Sequence, residues 1–196
     1  MNLANKLTVV RIFLIPVFLI FIAVRGIPYG TILATLVFIL AALTDKLDGY
    51  IARSRNQITK FGKLMDPLAD KLLVTAAFIS LMEYRVIPGW AAIIIIAREL
   101  AVTGLRSIAA SEGIVLAAGL WGKLKTVAQI VAIILCLLQV NVTQQKELTN
   151  FILQYPGLKE FLTVVSPIAL WIAVIITLFS GFDYFIKNRH VIKTEK

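Results

Sequence analysis

The chain is poor in cysteine, histidine and charge. Of 196 residues one is cysteine and one histidine, and Asp, Glu, Lys and Arg together make only 16%. The single cysteine, Cys136, closes no intrachain disulfide. One Cys and one His cannot build the Cys/His sets that hold zinc. A soluble domain carries about 25% charged and about 45–50% apolar residues, whereas this chain is 59% hydrophobic with a mean hydropathy of +0.88. A body this small buries only about 70% of its unfolded surface, so water would meet much of that apolar side-chain area. A soluble enzyme, a disordered tail and a collagen-like fibre are therefore excluded, and the composition predicts an integral membrane protein, which the apolar runs described below make all-α. No internal repeat or low-complexity tract interrupts it.

The basic excess is the next feature: 20 Lys+Arg against 11 Asp+Glu, a formal charge of +9. A basic balance can mark a nucleic-acid binder, but here the basic residues stand between apolar runs, as in the cytoplasmic loops of membrane proteins. No nucleic acid is expected, and a basic inner face would attract anionic lipid headgroups. The first 25 residues resemble a signal peptide, with Lys6 and Arg11 ahead of an apolar stretch. The stretch ends Ala23-Val24-Arg25-Gly26, without a small-residue cleavage site, and reads as an anchor.

A spanning helix needs about 20 mostly apolar residues. The charge-free runs 26–44, 126–145 and 161–182 satisfy this. Three more runs are interrupted: 12–24, which spans if its helix starts near Leu7; 72–82, if it starts at Asp66; and 86–110, which carries Arg98, Glu99 and Arg106. Six transmembrane helices in a single domain over 1–196 follow. Six helices put both termini on one side, and that side collects 16 of the Lys+Arg, against four (Arg25, Arg85, Lys146, Lys159) on the other. The asymmetry predicts cytoplasmic N and C termini in a multi-pass membrane protein. The polar stretch 141–160, with Pro156-Gly157 as a breaker, reads as an outer loop or short interfacial helix.

Four of the five aspartates fall within 26 residues. Asp45 and Asp48 are three apart at the inner end of helix 2. Asp66 and Asp70 are four apart on helix 3, with Pro67 suiting a first turn. Each spacing places a pair on one helix face. A charge at membrane depth costs roughly 2.5–3.5 kcal/mol, so the four carboxylates need a positive partner. Pairing with Lys46, Arg53, Arg55, Lys60 and Lys63 would supply one. An all-oxygen donor set also suits Mg²⁺ or Mn²⁺, and two such ions about 4 Å apart form a clamp for phosphoryl transfer. Gly49, Ala52 and Gly62 beside the pairs allow close helix approach or access of a phosphate to the backbone.

The pattern D-x2-D-G-x2-A-R-x8-G-x3-D-x3-D, formed by Asp45, Asp48, Gly49, Ala52, Arg53, Gly62, Asp66 and Asp70, resembles the signature of the CDP-alcohol phosphotransferases. The resemblance runs from NKLTVVR near the N-terminus to SGFDYF near the C-terminus, without departure from the pattern. It implies six transmembrane helices, a homodimer and attack of an alcohol on a CDP-linked lipid with release of CMP. By position, Asp45, Asp48 and Asp66 would hold two divalent ions, and Asp70 would be the general base, also within reach of a metal. Gly49, Ala52, Arg53 and Gly62 would line the CDP-lipid site, joined by Asn5, Thr8 and Arg11. Thr8 alternatively reads as an interfacial helix cap.

The stretches IAREL, VTGLR and GKLK resemble the branch of that family whose acceptor is sn-glycerol 3-phosphate and whose lipid donor is CDP-diacylglycerol. A phosphorylated acceptor needs cations inside the membrane boundary. Arg98 and Arg106, eight apart, share nearly one face of helix 4, and Lys123 and Lys125 open helix 5 on the same side. Arg suits bidentate phosphate contacts and Lys a point charge. The lysines also read as plain positive-inside anchors, while Glu99 reads as an orienting or bundle-holding group. Inositol phosphate, serine or phosphatidylglycerol are alternative acceptors, and serine would not require the cations. A divalent-cation transporter is the rival from another class. It would place its acids at mid-depth, not at one membrane edge. Trp90, Trp121 and Trp171 read as interface anchors, Asp183 as a partner for Lys187, and His190 as a solvated tail residue.

Overall fold

The computed structural model describes residues 3–54, 60–114, 116–117, 119–144 and 156–189, with the backbone alone for 3–8, 45–54, 60–67 and 156. Six helices make up the described residues, and no strand is found among them: α1 (Leu3–Ala23), α2 (Gly30–Ser54), α3 (Lys60–Glu83), α4 (Gly89–Ser111), α5 (Leu120–Gln144) and α6 (Pro156–Lys187). Six helices are the number the apolar runs predict. By length and composition, α5 and Gly157–Lys187 of α6 can cross a membrane, and Val9–Ala23 and Gly30–Thr44 are shorter apolar stretches.

The helices meet along faces spaced three and four residues apart. Ile15, Phe18 and Ile22 of α1 pack with Phe38 and Ala41 of α2, Ala77, Phe78 and Leu81 of α3, Ile95 of α4, Ile133 and Leu137 of α5, and Val174 of α6. Cys136 is part of this core, 1% exposed. The outward face is apolar too. Along α6, Phe161, Val164, Ile168, Ile172, Ile175, Phe179, Phe182 and Ile186 are all exposed, a surface suited to hydrocarbon rather than water. Helix α1 faces both ways, with Phe18 and Ile22 buried and Phe13 exposed.

Element boundaries differ from the sequence expectation where charge hid the helix. Helix α2 continues past Thr44 to Ser54, so Asp45, Asp48, Gly49, Ala52 and Arg53 lie on its last turns. Helix α3 begins at Lys60, ahead of Asp66. Pro67 is thus an interior residue and not the first-turn residue its chemistry suggested. Pro156 opens α6, a position where proline's missing N–H is free of cost. The expected outer loop falls mostly on 145–155, outside the described residues, as does His190.

Three turns fix the ends of the helices. Gly30 starts α2 so close to α1 that a Cβ there would stand 2.7 Å from the Phe21 carbonyl oxygen. Tyr84 donates its hydroxyl to the Ile22 carbonyl at 2.7 Å, satisfying one of the carbonyls left free at the end of α1. Burial pushes the Tyr84 phenol up, Arg25 opposes this and Glu83 adds to it, so the hydroxyl keeps its proton and remains a donor. Gly113, with φ 77, ends α4 as Ile114 N–H bonds the Ala109 carbonyl at 2.8 Å, the left-handed closure glycine favours. Trp90 and Trp171, expected as separate anchors, lie ring to ring at 5.0 Å and join α4 to α6.

Candidate active site

Five of the residues singled out by the sequence surround one cavity of about 690 Å³: Asp70 from α3, Arg98 and Arg106 from α4, and Lys123 and Lys125 from α5. Helix α2 contributes Ile39, Ala42 and Leu43 to its wall, and α6 contributes Tyr184. Lys71 and Glu99 complete the charged lining. Counting side chains, five cations face two carboxylates, a formal +3. The eight-residue interval between Arg98 and Arg106 does bring both to one wall.

The cations are held differently. Lys125, 6% exposed, forms an ion pair with Glu99 across α4 and α5. Glu99 also stands 3.7 Å from the Arg98 guanidinium and accepts a long 3.4 Å bond from Gln129 Nε2. Gln129 in turn donates to Thr177 Oγ1 of α6 at 3.0 Å. Arg98 donates to Ser180 Oγ at 2.7 Å, and Arg106 donates Nε–H to the Tyr184 hydroxyl at 3.0 Å. Lys123 is exposed on the cavity rim. One carboxylate, Glu99, thus ties α4 to α5, and through Gln129 the tie reaches α6. The low-charge interior makes such pairing necessary, since an unpaired charge there is costly.

The acidic side of the site is described in part. Asp70 is half-buried, lines the cavity, and its charge acts on Lys125. Asp45, Asp48 and Asp66, with Gly49, Ala52, Arg53 and Gly62, lie on helical backbone at the C-terminal end of α2 and the N-terminal end of α3. Their side chains, like those of Asn5 and Thr8 on α1, are outside the described residues. Among the described residues no group of three or more His, Cys, Asp or Glu gathers as a metal site. Arg11 is 1% exposed within α1 and is not among the residues lining this cavity. Asp183 pairs with Lys187 at 2.8 Å one turn on, the local pairing expected of it.

Sequence reasoning did not single out Lys71, Gln129, Thr177, Ser180 or Tyr184. For the α6 residues a signal was present: Thr177, Ser180 and Tyr184 follow the three- and four-residue spacing of one helix face, three polar side chains in an apolar run.

The cavity thus joins one aspartate, Asp70 of α3, to cations carried by α3, α4 and α5. The chain belongs to the CDP-alcohol phosphatidyltransferase family, whose profile matches residues 1–179. Individual relatives carry the name of one reaction in it. The protein named CDP-diacylglycerol--glycerol-3-phosphate 3-phosphatidyltransferase in Bacillus subtilis (strain 168) is 42% identical over 204 residues, covering 98% of each chain. Its namesake in Rickettsia bellii (strain RML369-C) is 38% identical over 94% of this chain and 93% of its own. A probable phosphatidylglycerophosphate synthase of Mycobacterium tuberculosis (strain ATCC 25618 / H37Rv) is 36% identical over 93% of this chain and 79% of its own.

Proposed function

We propose that this chain transfers the phosphatidyl group of CDP-diacylglycerol to sn-glycerol 3-phosphate, giving phosphatidylglycerophosphate and CMP. The observation that carries the reading is the cavity in which Asp70 faces Arg98, Arg106, Lys123 and Lys125. A net-positive recess beside a carboxylate suits an acceptor bearing both a phosphate and a hydroxyl. The full-length similarity to relatives bearing the name of this reaction supports the same choice.

In this reading Arg98, Arg106, Lys123 and Lys125 bind the acceptor phosphate. The Asp70 carboxylate takes the proton of the free primary hydroxyl as that oxygen bonds to the phosphatidyl phosphorus. The bond from that phosphorus to the bridging oxygen of the diphosphate breaks, and CMP leaves with the electron pair. Asn5, Thr8, Arg11, Gly49, Ala52, Arg53 and Gly62 hold the CDP headgroup. The all-carboxylate set Asp45, Asp48, Asp66 and Asp70 has the chemistry of a hard-cation site, and the helical backbone sets each pair at one-turn spacing. Two Mg²⁺ or Mn²⁺ ions bound there would neutralise the diphosphate and the leaving group.

The same proposal places the chain as one domain in the cell membrane, with six spans, cytoplasmic termini and a cytoplasm-facing site. The Lys+Arg asymmetry and the apolar outer face of α6 support this. A homodimer is carried over from the family. To test the reaction, purified protein in detergent or nanodiscs is given CDP-diacylglycerol, glycerol 3-phosphate and Mg²⁺. Phosphatidylglycerophosphate and CMP in equal amounts, abolished by EDTA and restored by Mg²⁺, is the expected result. CMP without that lipid, or unaltered turnover in EDTA, contradicts it.

A further inference from the structure

Of the four cations assigned to the acceptor phosphate, the two on α4 do not hold themselves in place. Arg98 and Arg106 are long side chains with much rotamer freedom, and each is fixed by a hydroxyl on α6. Ser180, 2% exposed, accepts from Arg98 at 2.7 Å. Tyr184, 7% exposed, accepts from Arg106 Nε at 3.0 Å, with the Arg106 Cζ 5.2 Å from its ring centroid. Gly181 lies between the two. A Cβ at Gly181 would stand 3.1 Å from Arg98 Cγ, so the absence of a side chain there lets the Arg98 stem lie against α6. Ser180 and Tyr184 are four apart, one helical turn, while their partners are two turns apart on α4.

Hydrogen-bond polarity adds a role for Tyr184. A phenol both donates and accepts. In accepting from Arg106 it keeps its own O–H, and Tyr184 lines the cavity. That proton is available to an anionic oxygen bound beside Arg106. The bond through Nε leaves the edge with both terminal nitrogens of Arg106 to face a phosphate, one of the edges able to make a bidentate contact.

We infer that α6 is the specificity wall of the acceptor site: Tyr184 aims Arg106 and donates its own hydroxyl to the acceptor phosphate, while Ser180 and Gly181 position Arg98. This rests on the reading of the cavity as the glycerol 3-phosphate site. None of the three α6 residues takes part in proton transfer, so their effect should fall on the acceptor and spare the lipid donor.

The test measures glycerol 3-phosphate binding by titration calorimetry and the KM of each substrate. It compares wild type, Tyr184→Phe, Ser180→Ala, Ser180→Thr and Gly181→Ala, all checked for equal thermal unfolding. Tyr184→Phe keeps the ring and should raise the KM and Kd for glycerol 3-phosphate about fivefold, the scale of one lost hydrogen bond. The KM for CDP-diacylglycerol should stay within about twofold. Ser180→Ala and Gly181→Ala should act the same way, and Ser180→Thr should restore the acceptor KM. If wild type neither binds nor uses glycerol 3-phosphate, the acceptor reading fails and takes this inference with it. If wild type uses it and the variants match wild type, or shift both KM values equally, the inference alone is overturned. If Tyr184→Phe melts early, Ser180→Ala against Ser180→Thr decides.

Discussion

Lys125 of α5 and Glu99 of α4 form an ion pair at the cavity wall, with side chains only 7% and 14% exposed. In an apolar bundle such a pair persists because either charge left alone would be buried without compensation. The pair also sets the charge of the site, since Glu99 offsets one of the five cations in the cavity lining.

Removing one partner should therefore cost stability as well as affinity. Glu99→Gln leaves the Lys125 ammonium buried without its counter-charge, and the expected loss is about 3 kcal/mol. Glu99→Gln combined with Lys125→Met should regain much of the melting temperature without regaining glycerol 3-phosphate affinity. Thermal unfolding of the two single variants and the double variant checks this. Additive losses would show that the pair is not coupled.

Asp70→Asn keeps the shape of the side chain and removes its basicity. CMP release should fall about 10²–10⁴-fold, the contribution of a positioned general base, while the protein still binds CDP-diacylglycerol. Pre-steady-state CMP release and lipid binding, measured on one preparation, separate the two. Full turnover in this variant would take the base role away from Asp70.

Arg106→Ala and Lys123→Ala should both raise the glycerol 3-phosphate KM more than the CDP-diacylglycerol KM, but unequally. Arg106 is held beside Tyr184, and loss of a charged hydrogen-bond donor there is worth roughly 1.5–3 kcal/mol, about 10- to 100-fold. Lys123 is exposed, so its effect should be smaller and should fade as ionic strength shortens the screening length. Steady-state kinetics at low and high salt show whether the two separate. Equal shifts in both KM values would make Arg106 a packing residue.

Away from the site, Gly30→Ala should destabilise the α1–α2 hairpin. The added Cβ would meet the Phe21 carbonyl oxygen at 2.7 Å, and backbone cannot yield as a side-chain tip can. A loss of about 1–3 kcal/mol is expected, with substrate KM values unchanged in the folded fraction. An unaltered melting curve would contradict the close approach.

The helix count was legible because apolar runs of spanning length leave few other structures. Boundaries were not, wherever function put charge on a helix. Asp45 to Arg53 reads as the end of a span, yet α2 carries them on continuous helix, and Pro67 reads as a start where α3 is already under way. The cations of the cavity wall were legible from spacing, since Arg98 and Arg106 interrupt an apolar helix two turns apart. Their hydroxyl partners were not, because pairing Ser180 with Arg98 depends on how α6 packs on α4. Ser, Thr and Tyr inside apolar helices look alike in sequence whether they bond a neighbouring carbonyl, as Ser166 does to Leu135 at 3.0 Å, or a guanidinium.

The most direct test is CMP release by purified wild-type protein with CDP-diacylglycerol and Mg²⁺ across a panel of acceptors: glycerol 3-phosphate, inositol phosphate, serine, phosphatidylglycerol and glycerol. Release with glycerol 3-phosphate alone is the predicted result and gives Arg98 and Arg106 their task. Release with serine or glycerol but not glycerol 3-phosphate would contradict the assignment of the cationic cavity to an acceptor phosphate.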